Sequence, residues 1–323
     1  MIGVIGEALI DFIGISREER SYNFASFVGG CGLNAATAAA RLGSSVSFFG
    51  KLSNDMFGVR ILDHLVDNKI LFDPELCNSF LPSMIGFAQL DDQGKAQYAF
   101  YSKNTASVCL TSEELCNSMS NHSNLKVLHI GSVSLAIKPG CDEILDAIDF
   151  YTPRPIVFLD PNVRPTVIED FEAYRARLFK ACKLADIIKL SDEDLLLLYP
   201  GLAVEEAAKT LCSEVSAHVI LTRGKQGSTW FSPKKFSVNS PIIDLPVVDT
   251  VGAGDTFSGA ILSFLHENNY FGQDGEDPVL HDLDREIIEK AMRYANAAAS
   301  INCSRKGCNP PTQEEVEALV GSI

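Results

Sequence analysis

Short continuous runs of apolar, largely β-branched residues alternate along the chain with stretches whose apolar positions recur at helical spacing. The runs Gly3–Ile5, Val46–Phe49, Val127–Ile130, Ile156–Asp160, Ile187–Leu190 and Val219–Thr222 have the pattern of buried strands. Between them the spacing predicts helices over Asn34–Leu42, Met56–Asn68, Asp142–Phe150, Ala173–Lys183, Asp192–Leu198 and Val204–Leu211. Gly43 stands where the first helix needs a C-terminal cap. Strand–helix–strand units with short connections imply an α/β protein built on a largely parallel sheet.

Two stretches break this rhythm. Ile10–Val28 carries no helical signal, and Ser83–Tyr101 reads as a hairpin, Met84–Leu90 and Lys95–Tyr101 around a turn at Asp91-Asp92-Gln93-Gly94. In the second arm Tyr98 and Phe100 share one face, and Ala99 and Tyr101 the other. Polar Gln89, Gln97 and Ser102 among these aromatics suit a half-exposed sheet. Together the stretches, about residues 10–28 and 83–103, predict a small β lid on a single domain spanning 1–323.

Composition narrows the function. The 323 residues are 46% hydrophobic and 21% charged, ordinary globular values that exclude disorder and fibrous classes. Lys and Arg number 27 against 42 Asp and Glu, a formal charge of −15 that argues against nucleic acid or a membrane surface as partner. Nine cysteines, with no CxxC, read as free thiols of a cytoplasmic protein. The start, Met1–Gly6, runs straight into a strand with no basic leader, and no apolar run reaches membrane-spanning length. The six histidines share no metal spacing and read as structural.

Two glycine-bearing segments carry candidate chemistry. In Val247–Ala260 an extended stretch ends at Asp249, Gly252-Ala253-Gly254 follow, and a helix begins near Asp255. Consecutive backbone N–H groups at a helix start make an anion cradle with a carboxylate beside it. An aspartate capping the helix after a glycine turn gives the same pattern. In Val28–Gly43 adjacent glycines precede an Ala-rich helix, and Asn34 can both donate to and accept from a hydroxyl. Gly30-x-Gly32-x-x-Ala35 also fits the dinucleotide fingerprint. However, Asn23–Phe27 makes a poor buried strand, and Lys51 or Leu52 stands where the ribose-binding acid is required.

In this order the two segments, with Gly50–Gly58 and Thr222-Arg223-Gly224-Lys225-Gln226-Gly227, resemble the signatures of the ribokinase-like (PfkB) carbohydrate kinases over essentially the whole chain. The resemblance implies a three-layer α/β/α fold with a mostly parallel central sheet and a small β-sheet lid. It implies Asp255 as general base, and Gly252, Ala253 and Gly254 as an anion hole for the γ-phosphoryl of ATP. Asp11, Gly29, Gly30 and Asn34 match sugar-binding positions. Asp160-Pro161-Asn162-Val163-Arg164 resembles the fructokinase and 2-keto-3-deoxygluconate kinase branches. Arg164 would there reach the acceptor or the phosphoryl; alternatively it is a surface cation beside an acid such as Glu169. Tyr101 and Lys103 border the sugar or are plain sheet surface.

On the nucleotide side the resemblance implies Lys189, Ser191, Asp194, Thr222, Gly224, Gly227 and Asn296. Ser191 and Asp194 depart from the family's N-x-x-E: either they keep a water network around the Mg²⁺ that travels with ATP, or the acidic run is a helix's first turn. Asn296 lies beside adenine or is a packed helix-face amide. Some members bind a monovalent cation such as K⁺, and Asp249 and Gly307 lie in the matching segments. The implied activity is an ATP-dependent sugar kinase, D-fructose to D-fructose 6-phosphate, with 2-keto-3-deoxygluconate as the alternative acceptor. A homodimer through the lid and a non-catalytic sugar or nucleotide sensor on the same fold are the remaining expectations.

Overall fold

The continuous apolar runs form the larger of two sheets in the computed structural model, which describes residues 1–18, 21–90, 96–272 and 276–322. Its strands are β1 (Ile2–Val4), β4 (Val46–Phe48), β5 (Leu71–Phe72), β8 (Val127–Gly131), β9 (Ile156–Asp160), β10 (Ile187–Ser191), β11 (His218–Thr222), β12 (Ser228–Ser232) and β13 (Phe236–Ser240). The spatial order is β13-β12-β11-β10-β9-β8-β1-β4-β5. Pairs from β5 to β11 are parallel, while β12 and β13 add an antiparallel edge.

Side chains alternate across this sheet, which explains its coverage on both faces. Phe158, Ile187, Ile220 and Trp230 enter one core with α1 (Cys31–Arg41), α2 (Met56–Asp67), α8 (Ala253–Glu267), α9 (Arg285–Cys303) and α10 (Gln313–Gly321). Their neighbours Val157, Ile188, Leu221 and Phe231 enter the other core with α3 (Ser112–Ser120), α4 (Gly140–Phe150), α5 (Phe171–Leu184), α6 (Asp192–Leu198) and α7 (Val204–Val215). The result is the expected helix–sheet–helix layering. Gly43 follows α1 at φ 97°, as its capping place requires.

The chain builds β4 and β5 on one side of β1 and β8 to β11 on the other, so strand order reverses between β1 and β8. Ligand crevices of open α/β sheets form outside the carboxyl ends of strands at such a reversal. The second sheet has the order β3-β2-β6-β7, and its Asp11 comes within electrostatic reach of Asp255 near this end. It comprises β2 (Leu9–Glu18), β3 (Ser21–Gly29), β6 (Met84–Leu90) and β7 (Ala96–Tyr101), matching both stretches that broke the helical rhythm. The turn expected at Asp91–Gly94 lies outside the described residues. Among the described residues no helix is long and apolar enough to cross a membrane.

Candidate active site

Helix α8 starts from Gly252, whose φ of 72° suits glycine, and a Cβ there would lie 2.2 Å from Cys308 Sγ. The helix has no side-chain cap, so Asp255 is not its N-cap. Its carboxylate accepts a hydrogen bond from Asn34 Nδ2 at 2.8 Å and a longer one from Asn162 Nδ2 at 3.4 Å. Asn34 arrives on the first turn of α1, which packs tightly on α8 because Gly259 has no Cβ; one there would lie 2.5 Å from the Ala35 carbonyl oxygen. Gly30, at φ 114° and pressed against the Glu7 carbonyl, turns the chain into α1. Burial raises the Asp255 pKa against the opposing pull of Asn34.

Beneath the turn lies a buried ion pair. Lys189 from β10 meets Asp160 at the end of β9 at 3.0 Å, and Ser258 of α8 donates to the same carboxylate oxygen at 2.8 Å. A Cβ at Gly254 would lie 3.0 Å from the Lys189 ammonium, so this charge sits directly under the backbone turn. Burial alone lowers the lysine pKa, but Asp160 outweighs it and the ammonium is held charged. His129 stacks on Phe158, with its pKa pushed down to about 4 by burial, a structural neutral ring as the sequence suggested.

Glu7 is a site residue that motif reading missed. It is buried and accepts from Cys31 N at 3.1 Å, Ser134 N at 3.2 Å and Ser134 Oγ at 2.6 Å, tying the start of α1 to the segment after β8. A lone acid two residues beyond the apolar run Val4-Ile5, after Gly6, was the available signal.

Asp11 lies on β2, paired with Phe27 and Gly86, and Gly86 pairs with Phe100. All four therefore share one face. A Cβ at Gly29 or Gly86 would come within 2.5 Å of the Asp11 carboxylate, so these glycines leave its oxygens clear. Its pKa is raised to about 6 by burial and then by Asp255, with Arg164 opposing. Tyr101 pairs with Ile85 one step further along, which turns it to the opposite face, where it is 66% exposed against Phe87. Strand alternation thus corrects the expectation: Phe100 accompanies Asp11, not Tyr101. Lys103 pairs with Glu169 at 2.5 Å, both side chains largely in solvent.

A cavity of about 840 Å³ opens on the other side of the turn. Lys189, Ser191, Asp194, Thr222, Gly224, Gly227 and Asn296 all line it, as do Arg164, Ala253 and Gly254. Its size is that of a cofactor site, and Ile242, Ile243, Leu245 and Val247 supply an apolar wall. Asn296 donates to Ser240 Oγ at 2.8 Å and the Pro241 carbonyl at 3.1 Å, bracing that wall. Asp194 forms a capping box with Ser191 and also accepts from Val163 N at 2.8 Å, so the helix-start reading of the acidic run holds. Arg164 donates to the Asn162 and Val163 carbonyls and does not cap Glu169. Asp249 accepts from Val251 N and Gly307 N, joining the two segments matched to a monovalent-cation site.

The pfkB family carbohydrate kinases match residues 1–315 of the chain. A fructokinase of Rhizobium leguminosarum bv. trifolii is 34% identical over 270 residues, covering 83% of this chain and 81% of the relative. Fructokinase-2 of Oryza sativa subsp. japonica is 31% identical over 98% of this chain and 92% of its own. Among solved structures, the Xylella fastidiosa fructokinase with bound ATP superposes with a TM-score of 0.87 at 25% identity, covering 99% and 98% of the two chains. The Vibrio cholerae O395 fructokinase with fructose, ADP and calcium ion gives 0.80, also at 25% identity and 99% and 98% coverage.

Proposed function

The chain belongs to the pfkB family of carbohydrate kinases, and we propose that it transfers the γ-phosphoryl of ATP to the primary hydroxyl of D-fructose, giving D-fructose 6-phosphate. One observation carries this reading: the buried Asp255 carboxylate is within electrostatic reach of Asp11 and directly follows Ala253 and Gly254, which line the cavity. In the proposed reaction Asp11, Asn34 and the backbone beside Gly29 and Gly30 orient the sugar hydroxyls. Asp255 accepts the proton of the attacking hydroxyl. The turn's N–H groups, with Lys189 below and Arg164 beside, take up charge on the phosphoryl as it moves. Thr222, Gly224 and Gly227 bound the nucleotide phosphates, and Asn296 braces the wall against the base.

Magnesium would arrive on ATP, neutralising charge on its phosphates. Both Asp194 oxygens already accept backbone N–H groups, so its contact to the ion would run through water. Asp249 is similarly engaged, so a K⁺ beside the turn would be held by carbonyls of the segments that Asp249 and Gly307 join. The nine free cysteines fit a reducing, cytoplasmic setting.

A coupled assay over a panel of sugars tests the substrate. Turnover on fructose is expected; turnover on 2-keto-3-deoxygluconate with none on fructose overturns the assignment, and binding without turnover on any sugar identifies a sensor.

The pKa of about 6 for Asp11 predicts an acid limb in kcat/KM for the sugar near pH 6. Below it the carboxyl is protonated and no longer accepts two hydroxyls. Because the folded pKa lies above the unfolded 3.8, this group's stabilising contribution is full below 3.8 and is lost as pH rises to about 6. Affinity and stability should therefore respond to acid in opposite directions. Asp11→Asn should remove Asp11's share of the limb and leave the titration of Asp255; an unchanged limb assigns it to Asp255 or another group.

We also propose that the small sheet, a lid over the sugar positions in a single-domain kinase, dimerises through its far face. That face carries Phe87 with Phe24 against its ring at 5.4 Å and exposed Tyr101, while Phe12 at its inner edge packs on Phe57 of α2 at 5.9 Å. Sedimentation should give a dimer that Tyr101→Glu shifts toward monomer. A monomer at all concentrations rejects this interface.

A further inference from the structure

Cys31, Asp160 and Asp255 bring one ligand atom each to within 4.8 Å of one another. They come from the first residue of α1, the last of β9 and the first turn of α8, and all are buried. Asp160 commits Oδ2 to Lys189 and Ser258, while its Oδ1 is buried without a hydrogen-bond partner. Asp255 accepts from the uncharged side-chain amides of Asn34 and Asn162 and from the Cys31 thiol. Acids outnumber cations here: Glu7, Asp11, Asp160 and Asp255 face Lys189 and Arg164.

We infer that this trio is a binding site for a thiophilic divalent cation of the zinc and cadmium class. One thiolate with two carboxylates is a zinc donor set, whereas hard Mg²⁺ selects oxygen ligands and keeps its waters. Zinc–ligand distances of about 2.0–2.3 Å require the three atoms to close by roughly 1 Å, a side-chain rotation rather than a backbone change. Asp160 can keep Lys189 on Oδ2 while offering the unmet Oδ1. On binding, the Cys31 S–H bond breaks, its electron pair forms the S–metal bond and its proton leaves to solvent. No oxidant or reductant is needed.

The consequence for activity rests on the kinase reading above. A metal held by Asp255 occupies the oxygen that would accept the sugar proton, so the loaded protein is inactive. Zinc-class cations then act as reversible inhibitors at the reacting centre, separate from any ion travelling with ATP.

The reduced, nucleotide-free protein is titrated with Cd²⁺ and cadmium–thiolate absorbance is followed. Cys31→Ala and Cys31→Ser should each lose one thiolate–metal equivalent, while Cys308→Ala, altering the thiol beside Gly252, should keep it. In the sugar-kinase assay with excess MgATP, Zn²⁺ should inhibit the unaltered protein and a chelator should restore its rate. Relative to its own metal-free rate, Cys31→Ala should need at least tenfold more Zn²⁺ for half-inhibition. A Cd²⁺ titration unchanged in both Cys31 variants overturns the site. Binding through Cys31 with undiminished turnover overturns the inhibition. Should no sugar be turned over, the kinase reading fails and the Cd²⁺ arm still decides the site.

Discussion

Asp255→Asn lowers kcat by about 10²–10⁴-fold while sugar and ATP binding persist in calorimetry, the expected loss for a proton acceptor acting in the transition state. The amide keeps the carboxylate's shape and still accepts from Asn34, so the junction of α1 and α8 stays closed. What disappears is the basic oxygen. Burial holds this carboxyl's pKa above its ordinary value, so its ionised form opposes folding at neutral pH. The variant should therefore melt no lower than the parent, and a rise in Tm would show activity and stability in opposition at one residue. If activity falls only in step with lost structure, Asp255 is merely a packing group.

Lys189→Met is the second large effect. It leaves the Asp160 carboxylate buried without its cation, and breaking such a pair on one side costs about 3–5 kcal/mol. Urea unfolding measures this directly. Lys189→Met with Asp160→Asn should recover most of the stability, since no unpaired charge remains. Activity should stay low in the double variant, because the ammonium under Gly254 is still missing. A loss below about 1 kcal/mol in the single variant would mean that solvent or His129 rearranges to compensate, and would remove the pair from the account of the turn.

These two residues also mark how far the sequence could be read. Strands such as Ile156–Asp160 were legible to the residue because coverage on both faces demands an unbroken apolar run. Helix α1 was read from Asn34 but begins at Cys31, since Gly30 starts it with backbone geometry and no polar cap. The antiparallel strands β12 and β13 went unassigned because Ser228-Thr229 and Ser237 interrupt any apolar pattern at that edge. Helix α9 went unassigned although Ile288, Met292 and Ile301 join its alanines on one packed face at helical spacing. Helix α3 was missed although Thr111 and Glu114 spell a capping box.

The site divides the same way. Residues within the two glycine-bearing segments were found because a local turn needs glycine and a helix start favours an anion. The nucleotide residues came from resemblance, and all of them line one cavity. Glu7 and Gly86 act through pairings made far along the chain, and the choice of Phe100 over Tyr101 depends on register between β2, β6 and β7. A one-residue change of register exchanges the faces of a strand, so this information does not exist locally.

The central claim is that one carboxylate and one backbone turn meet where the phosphoryl and the sugar hydroxyl react. A crystal structure with fructose and a non-hydrolysable ATP analogue measures it. The account predicts an Asp255 oxygen within roughly 2.6–3.2 Å of the primary hydroxyl, with the γ-phosphoryl facing the N–H groups of Gly252–Gly254. A hydroxyl bound out of reach of Asp255, or a γ-phosphoryl directed away from that turn, would contradict it.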